Sequence, residues 1–183
     1  MGRHGSHRRA PMRLISYEGV RVEDVEVAEA GPKGLGVFAA RRFVRGETAV
    51  VGRAIAYPPQ RTRMSVQMHW DRHVEMDAPA TLLNHSCEPN LGVRENRWSA
   101  FDFIALRDIF AGEELAFDYA MTEHALVARL SCRCGSLACG GEIRPWGERD
   151  QAWRDQNAAW VAHYLRTSSP SGAGPRLERL SQR

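Results

Sequence analysis

Apolar residues fall at every second position in several short runs of this 183-residue chain. That is the spacing of a strand with one face turned to a core. Residues 98–107 (WSAFDFIALR) set Phe101, Phe103 and Ala105 against Ala100, Asp102 and Ile104, and read as a strand. In residues 114–120 (ELAFDYA) the same alternation puts Leu115, Phe117 and Tyr119 on one face of another strand. Residues 20–30, with Val25 and Val27, and residues 47–57 (ETAVVGRAIAY) read as two more, the second stopped by Pro58-Pro59. Between them GPKGLG, residues 31–36, is expected to be a turn, because three glycines and a proline in six residues suit little else. The FAARRFV segment that follows fits either a helical turn or a strand. The mixed pattern of residues 63–76 assigns no element.

Beyond Trp146 the period changes. In GERDQAWRDQNAAWVAHYL, Trp153, Trp160 and Tyr164 fall near helical spacing with Val161 beside them. A helix is expected over 147–166, with Asp150 as N-cap and its aromatic stripe packed on the body. No internal repeat and no alternation of strand and helix is present. The fold class is therefore mainly β, with many short strands and one C-terminal helix. Residues 1–13 are expected to form a flexible arm. The Ser/Pro/Gly-rich end, residues 167–183, is expected to be disordered.

Composition narrows the class of protein. With 43% hydrophobic and 26% charged residues the chain is an ordinary globular one, and it has no apolar run long enough to span a membrane. Its basic N-terminus has no apolar segment behind it and is not a secretory signal, so a cytoplasmic location is expected. A net charge of +3 with scattered arginines gives no footprint for nucleic acid. Of the 25 basic residues only Lys33 is lysine. Coding bias accounts for this; an enzyme that acts on lysine would also gain from it.

Three of the four cysteines, Cys132, Cys134 and Cys139, form C-x-C-x4-C, and Cys87 stands alone in LLNHSCEPN. Without a secretory signal, such thiols favour metal over disulfides. Tetrahedral zinc needs four ligands, and Cys87 is the one further thiol available. An all-thiolate shell is closed and structural rather than catalytic. Residues 131–146 hold little apolar content, and zinc would supply their folding energy.

With these residues in view, the chain resembles the SET domain family of protein-lysine methyltransferases. The resemblance rests on GLGVFAAR (34–41), LLNHSCEPN (82–90), GEELAFDY (112–119) and CRCGSLACGG (132–141). It implies a SET domain over 14–130 with a knot-like core, in which the NHSC and FDY segments are threaded together, followed by a zinc-binding post-SET segment over 131–146. It implies S-adenosylmethionine as methyl donor, and in the family the four cysteines share one zinc. It places Lys33, Gly34, Leu35 and Gly36 along the donor's methionine end and has Asn84 and His85 contact the donor. Tyr119 would stand beside the transferring methyl group. Phe117, where the family alternates between Phe and Tyr, would leave room for more than one methyl.

A rival reading of GLGVFA as the G-x-G-x-x-G/A dinucleotide fingerprint fails. Residues 50–58 carry no acid, and no crossover helix follows.

Two positions depart from the family. Thr81 replaces an arginine common before NHSC, and Val50 stands where a channel tyrosine is common, with Tyr57 further along. The insert over 58–78 is short and offers little surface for reading a peptide. The expected activity is methyl transfer to a lysine of a protein or peptide substrate. A small-molecule amine acceptor, or a non-catalytic binding module on the same fold, stands as the alternative. The sequence sets no oligomeric state.

Overall fold

A computed structural model describes residues 22–167. The expected arm (1–13), the start of the first expected strand and residues 168–183 of the expected tail lie outside the described residues. Twelve strands follow in chain order: β1 (Val25–Glu29), β2 (Leu35–Ala39), β3 (Thr48–Val51), β4 (Ala54–Ala56), β5 (Ser65–His69), β6 (Arg72–Met76), β7 (Asn84–His85), β8 (Leu91–Glu95), β9 (Phe101–Ala105), β10 (Glu114–Phe117), β11 (Leu130–Ser131) and β12 (Glu142–Ile143). One α-helix, α1 (Gln151–Asn157), comes last. The expected mainly β fold is observed.

The main sheet runs β1-β2-β10-β8-β9-β3, with β7 also paired to β10. Both β7 and β8 run parallel to β10 (Ala116 opposite Asn84, Phe117 opposite His85 and Leu91), while its pairing with β2 is antiparallel. The NHSC segment is thereby laid directly against the FDY segment, as the resemblance implied. A second sheet, β4-β6-β5, contains the segment left unassigned, which forms the β5–β6 hairpin.

Four local expectations are corrected. The expected strand 47–57 is two strands, because Gly52 sits where a side chain would meet Met76 Sδ at 2.6 Å and the chain turns there into the second sheet. The expected turn 31–36 ends at Gly34, and Leu35 and Gly36 already belong to β2, opposite Glu29 and Ala28. The strand β10 ends at Phe117, so Tyr119 does not share a strand face with it. Asp118 instead accepts a hydrogen bond from the Ala120 amide and caps a 3-10 turn that begins at Tyr119.

The expected helix 147–166 is only two turns of α1, flanked by 3-10 turns. Its N-cap is Asp150, as expected, accepting from Trp153 N. The aromatic stripe does face the body. At Gly92 an added Cβ would lie 2.8 Å from Trp160 Cβ, so this glycine lets the C-terminal segment close on β8. Ile104, expected on the face opposite Phe103, is buried too, opposite Gly92 in the β8–β9 register.

Candidate active site

The turn before β2 depends on glycine. Gly34 has φ +84° and ψ −135°, a region only glycine adopts without strain. Two residues on, a Cβ at Gly36 would sit 2.8 Å from Glu114 Oε1 and 2.9 Å from Asn84 Nδ2. The missing side chain therefore allows three segments to meet. Asn84 Nδ2 donates to Leu35 O at 3.0 Å and to Glu114 Oε1 at 2.9 Å. Lys33 Nζ forms an ion pair with the other carboxylate oxygen of Glu114. The structure thus brings together Lys33, Gly34, Leu35, Gly36 and Asn84. Glu114, which joins them, was missed in the sequence because it reads as a lone charge opening the 114–120 strand; only its register opposite Phe38 of β2 puts it at this corner.

His85 takes a different direction from its neighbour. Its ring is buried (5% exposed), and Nδ1 accepts the Tyr119 backbone N–H at 3.2 Å. Nε2 lies 3.4 Å from Cys87 Sγ. With Nδ1 accepting, the neutral ring carries its proton on Nε2 and donates to the sulfur. Burial, helped by Arg149 and Lys33, pulls the imidazole down to about 4. The side chain expected to contact a donor therefore spans Cys87 and Tyr119.

Tyr119 stacks edge-on against His85 (5.2 Å between centroids) and tilts against Phe117 (5.1 Å). Its hydroxyl donates to Leu83 O at 3.3 Å. Burial, with added repulsion from Glu123 and Glu114, pushes the phenol up to about 12. Phe117 and Tyr119 line a cavity of about 320 Å³ together with Thr81, Leu83, Glu123 and Val127. Neither Val50 nor Tyr57 is among its lining: Val50 is core (1% exposed) and Tyr57 lies 54% exposed outside it.

The short insert does more than expected, since residues 61–66 form one wall of this cavity. Arg61 fixes that wall, pairing with buried Glu123 at 2.6 Å and donating to Ala125 O at 2.6 Å. No sequence spacing announces this pair, whose members are 62 positions apart.

The four cysteine sulfurs lie within 4.8 Å of one another, and Cys87 Sγ is 3.7 Å from Cys132 Sγ. A tetrahedral ion about 2.3 Å from each sulfur needs sulfur–sulfur edges of about 3.8 Å, so the set fits zinc. Burial disfavours the thiolate at Cys87, Cys132 and Cys134. At Cys134 hydrogen bonds from Ser136 and from the backbone outweigh it and draw the thiol down to about 6. The cluster also touches the glycine turn, because Arg133 donates to Pro32 O at 3.2 Å.

Residues 34–120 match the SET domain family. The chain carries a SET domain. Among curated relatives, the SET-domain chain is 37% identical over 110 residues to Methyltransferase flvH of Aspergillus flavus, covering 59% of each chain. It is 40% identical over 72 residues to the histone-lysine N-methyltransferase Su(var)3-9 of Drosophila pseudoobscura pseudoobscura, covering 31% of this chain and 11% of that one. The chain thus spans only part of the curated relatives it matches. Among solved structures, KRYPTONITE in complex with mCHH DNA, an H3(1-15) peptide and SAH aligns with TM-score 0.53 at 23% identity, over 68% of this chain and 30% of that one, a likeness of fold. No described helix is long and apolar enough to cross a membrane.

Proposed function

We propose that this SET-domain protein transfers methyl groups from S-adenosylmethionine to a lysine side chain of a protein or peptide, with a structural zinc on Cys87, Cys132, Cys134 and Cys139. The observation that carries the reading is the position of Tyr119. Its phenol meets the carbonyl of Leu83, next to the Asn84–Glu114–Lys33 corner, and its ring also lines the cavity.

Bound at that corner, S-adenosylmethionine would supply an electrophilic methyl on a cationic sulfur. Lys33, the backbone of Gly34, Leu35, Gly36 and His85, and Asn84 are the residues assigned to hold it. The acceptor amine must arrive neutral, although an unperturbed lysine has a pKa of about 10.4. A cavity walled by Phe117, Leu83 and Val127 disfavours the ammonium, and so does the sulfonium charge. The Tyr119 oxygen orients the amine for in-line attack, and much of the acceleration comes from that placement. Among the named relatives a histone-lysine N-methyltransferase supports lysine as acceptor, whereas the relative with equal coverage of both chains is named only a methyltransferase. A small-molecule amine is therefore the second reading.

The test is label transfer. Purified protein and its Tyr119→Phe variant are incubated with methyl-labelled S-adenosylmethionine and host lysate, and macromolecules are separated from small molecules. Tyr119-dependent label in a protein band is expected. Label confined to small molecules moves the acceptor to the second reading. No label with donor binding intact leaves a binding module.

A further inference from the structure

The C-terminal segment lies beyond both the family match and the cysteine cluster, yet it is bonded to the stretch that carries Tyr119. Trp146 N donates to Glu123 O (2.8 Å), Gly147 N to His124 O (3.0 Å) and Ala162 N to Met121 O (2.8 Å). The buried Tyr164 hydroxyl donates to Thr122 O at 2.6 Å and accepts from His124 N at 3.2 Å. These bonds hold residues 121–124 from one side.

One side-chain pair reaches closer to Tyr119. Asp118 is fully buried (0% exposed). Its Oδ1 accepts the Ala120 amide at 2.9 Å, and its Oδ2 accepts from the Arg149 guanidinium at 2.5 Å. Arg149 is itself mounted rigidly. It sits between the 3-10 turn Trp146–Glu148 and the N-cap Asp150, with its guanidinium 4.6 Å from the Trp153 ring centroid. Its side chain is 16% exposed.

We propose that Arg149 is a positioning residue for methyl transfer: it holds the buried Asp118 carboxylate in the cap that sets the 3-10 turn on which Tyr119 stands. The proposal rests on the reading of Tyr119 given above. Removing Arg149 would leave a buried carboxylate without its counter-charge, a costly state. Asp118 would then turn away, losing the cap on Ala120, or take up a proton, weakening it. Tyr119 is the first residue of that turn, so its ring and phenol would shift against Phe117 and Leu83. A displacement of about 1 Å at a reacting centre can cost on the order of a hundredfold in rate.

The test uses the full zinc-loaded chain as wild type, Arg149→Met, Arg149→Gln and Arg149→Lys. Three quantities are read: amide hydrogen exchange at residues 119–121, the dissociation constant of S-adenosylhomocysteine, and the initial rate of labelled methyl transfer into lysate protein. In Arg149→Met, exchange at 119–121 should accelerate and transfer should fall roughly ten- to a hundredfold, with exchange in β8 and β9 and donor-site affinity unchanged. Arg149→Lys, which keeps the charge, should recover most of both. If Arg149→Met does not fold, the order wild type, Lys, Gln in exchange at 119–121 decides instead. Unchanged protection at 119–121, or a rate loss matched by an equal loss of affinity, overturns the proposal. If the wild type itself transfers no label, the methyl-transfer reading fails alone. The exchange data then still decide whether Arg149 holds Tyr119.

Discussion

The Tyr119 backbone amide donates to His85 Nδ1 at 3.2 Å, so a side chain of the NHSC segment, together with the Asp118 cap, holds the residue that carries the phenol. Fixed in this way, the Tyr119 hydroxyl contacts Leu83 O, and the residue lines the cavity. Tyr119→Phe keeps the ring packing on His85 and Phe117 and removes only the polar contact. Methyl transfer is expected to fall roughly ten- to a hundredfold. Binding of S-adenosylhomocysteine, followed by calorimetry, should change little. A fully active variant removes Tyr119 from the mechanism.

The alternating strands β9 and β10, the glycine turn and the four-cysteine set were legible because each is a local or compositional signal. Phe101 and Phe103 are buried as their alternation requires, and the C-x-C-x4-C cluster left one vacancy that Cys87 fills. Glu114, the Arg61–Glu123 pair and the Arg149–Asp118 pair were not legible. Each depends on a tertiary contact between segments far apart in sequence, and each member alone looks like a solvated charge. The end of β10 was misjudged for a related reason. Alternation continues through Tyr119, but the Asp118 side chain offers the Ala120 amide a local partner, and the strand stops there.

The pH dependence follows from the Tyr119 phenol, held at about 12 chiefly by burial. Its folded value is raised above the unfolded one of about 10. The neutral phenol therefore contributes stability that is fully present below pH 10 and is lost as pH rises through 12, an amount of about 2–3 kcal/mol. Transfer should keep rising as the acceptor amine loses its proton, with no downturn from phenol ionisation near pH 10. An ultraviolet titration of wild type minus Tyr119→Phe should place the missing ionisation near 12. A difference curve centred near 10 rejects the buried, neutral phenol.

Phe117 is 2% exposed, and its ring lies 5.1 Å from both Phe103 and Tyr119. A hydroxyl added there takes up room in the cavity and brings a second polar group toward the acceptor. Phe117→Tyr is expected to shift products toward the monomethylated amine, read by mass spectrometry of the labelled acceptor. An unchanged product ratio rejects the assignment of Phe117 as the residue that limits methylation.

Gly36→Ala tests the donor corner directly. The new methyl would lie 2.8 Å from Glu114 Oε1 and 2.9 Å from both Asn84 Nδ2 and Ala30 Cβ, so Asn84 must give up its bond to Leu35 O or to Glu114. Overpacking of this kind costs about 1–3 kcal/mol, and here it falls on the proposed donor site. Affinity for S-adenosylhomocysteine should drop roughly tenfold or more, as a loss of about 1.4 kcal/mol gives. Unchanged affinity places the donor elsewhere.

Cys87→Ser removes the one ligand that ties the C-x-C-x4-C segment to the NHSC segment. Structural zinc in small peptide sites contributes roughly 10–16 kcal/mol to folding, and β11–β12 has little else to hold it. Zinc per chain after dialysis should fall well below one, and residues 131–146 should become the first segment cut by a protease. The loss should also reach the donor corner, because Arg133 donates to Pro32 O and the Cys87 sulfur accepts from His85. Affinity for S-adenosylhomocysteine is therefore expected to weaken in Cys87→Ser although no donor contact has been touched. Full metal content in this variant sinks the four-cysteine site. Loss of metal with donor affinity intact keeps the site and cuts its link to the glycine turn.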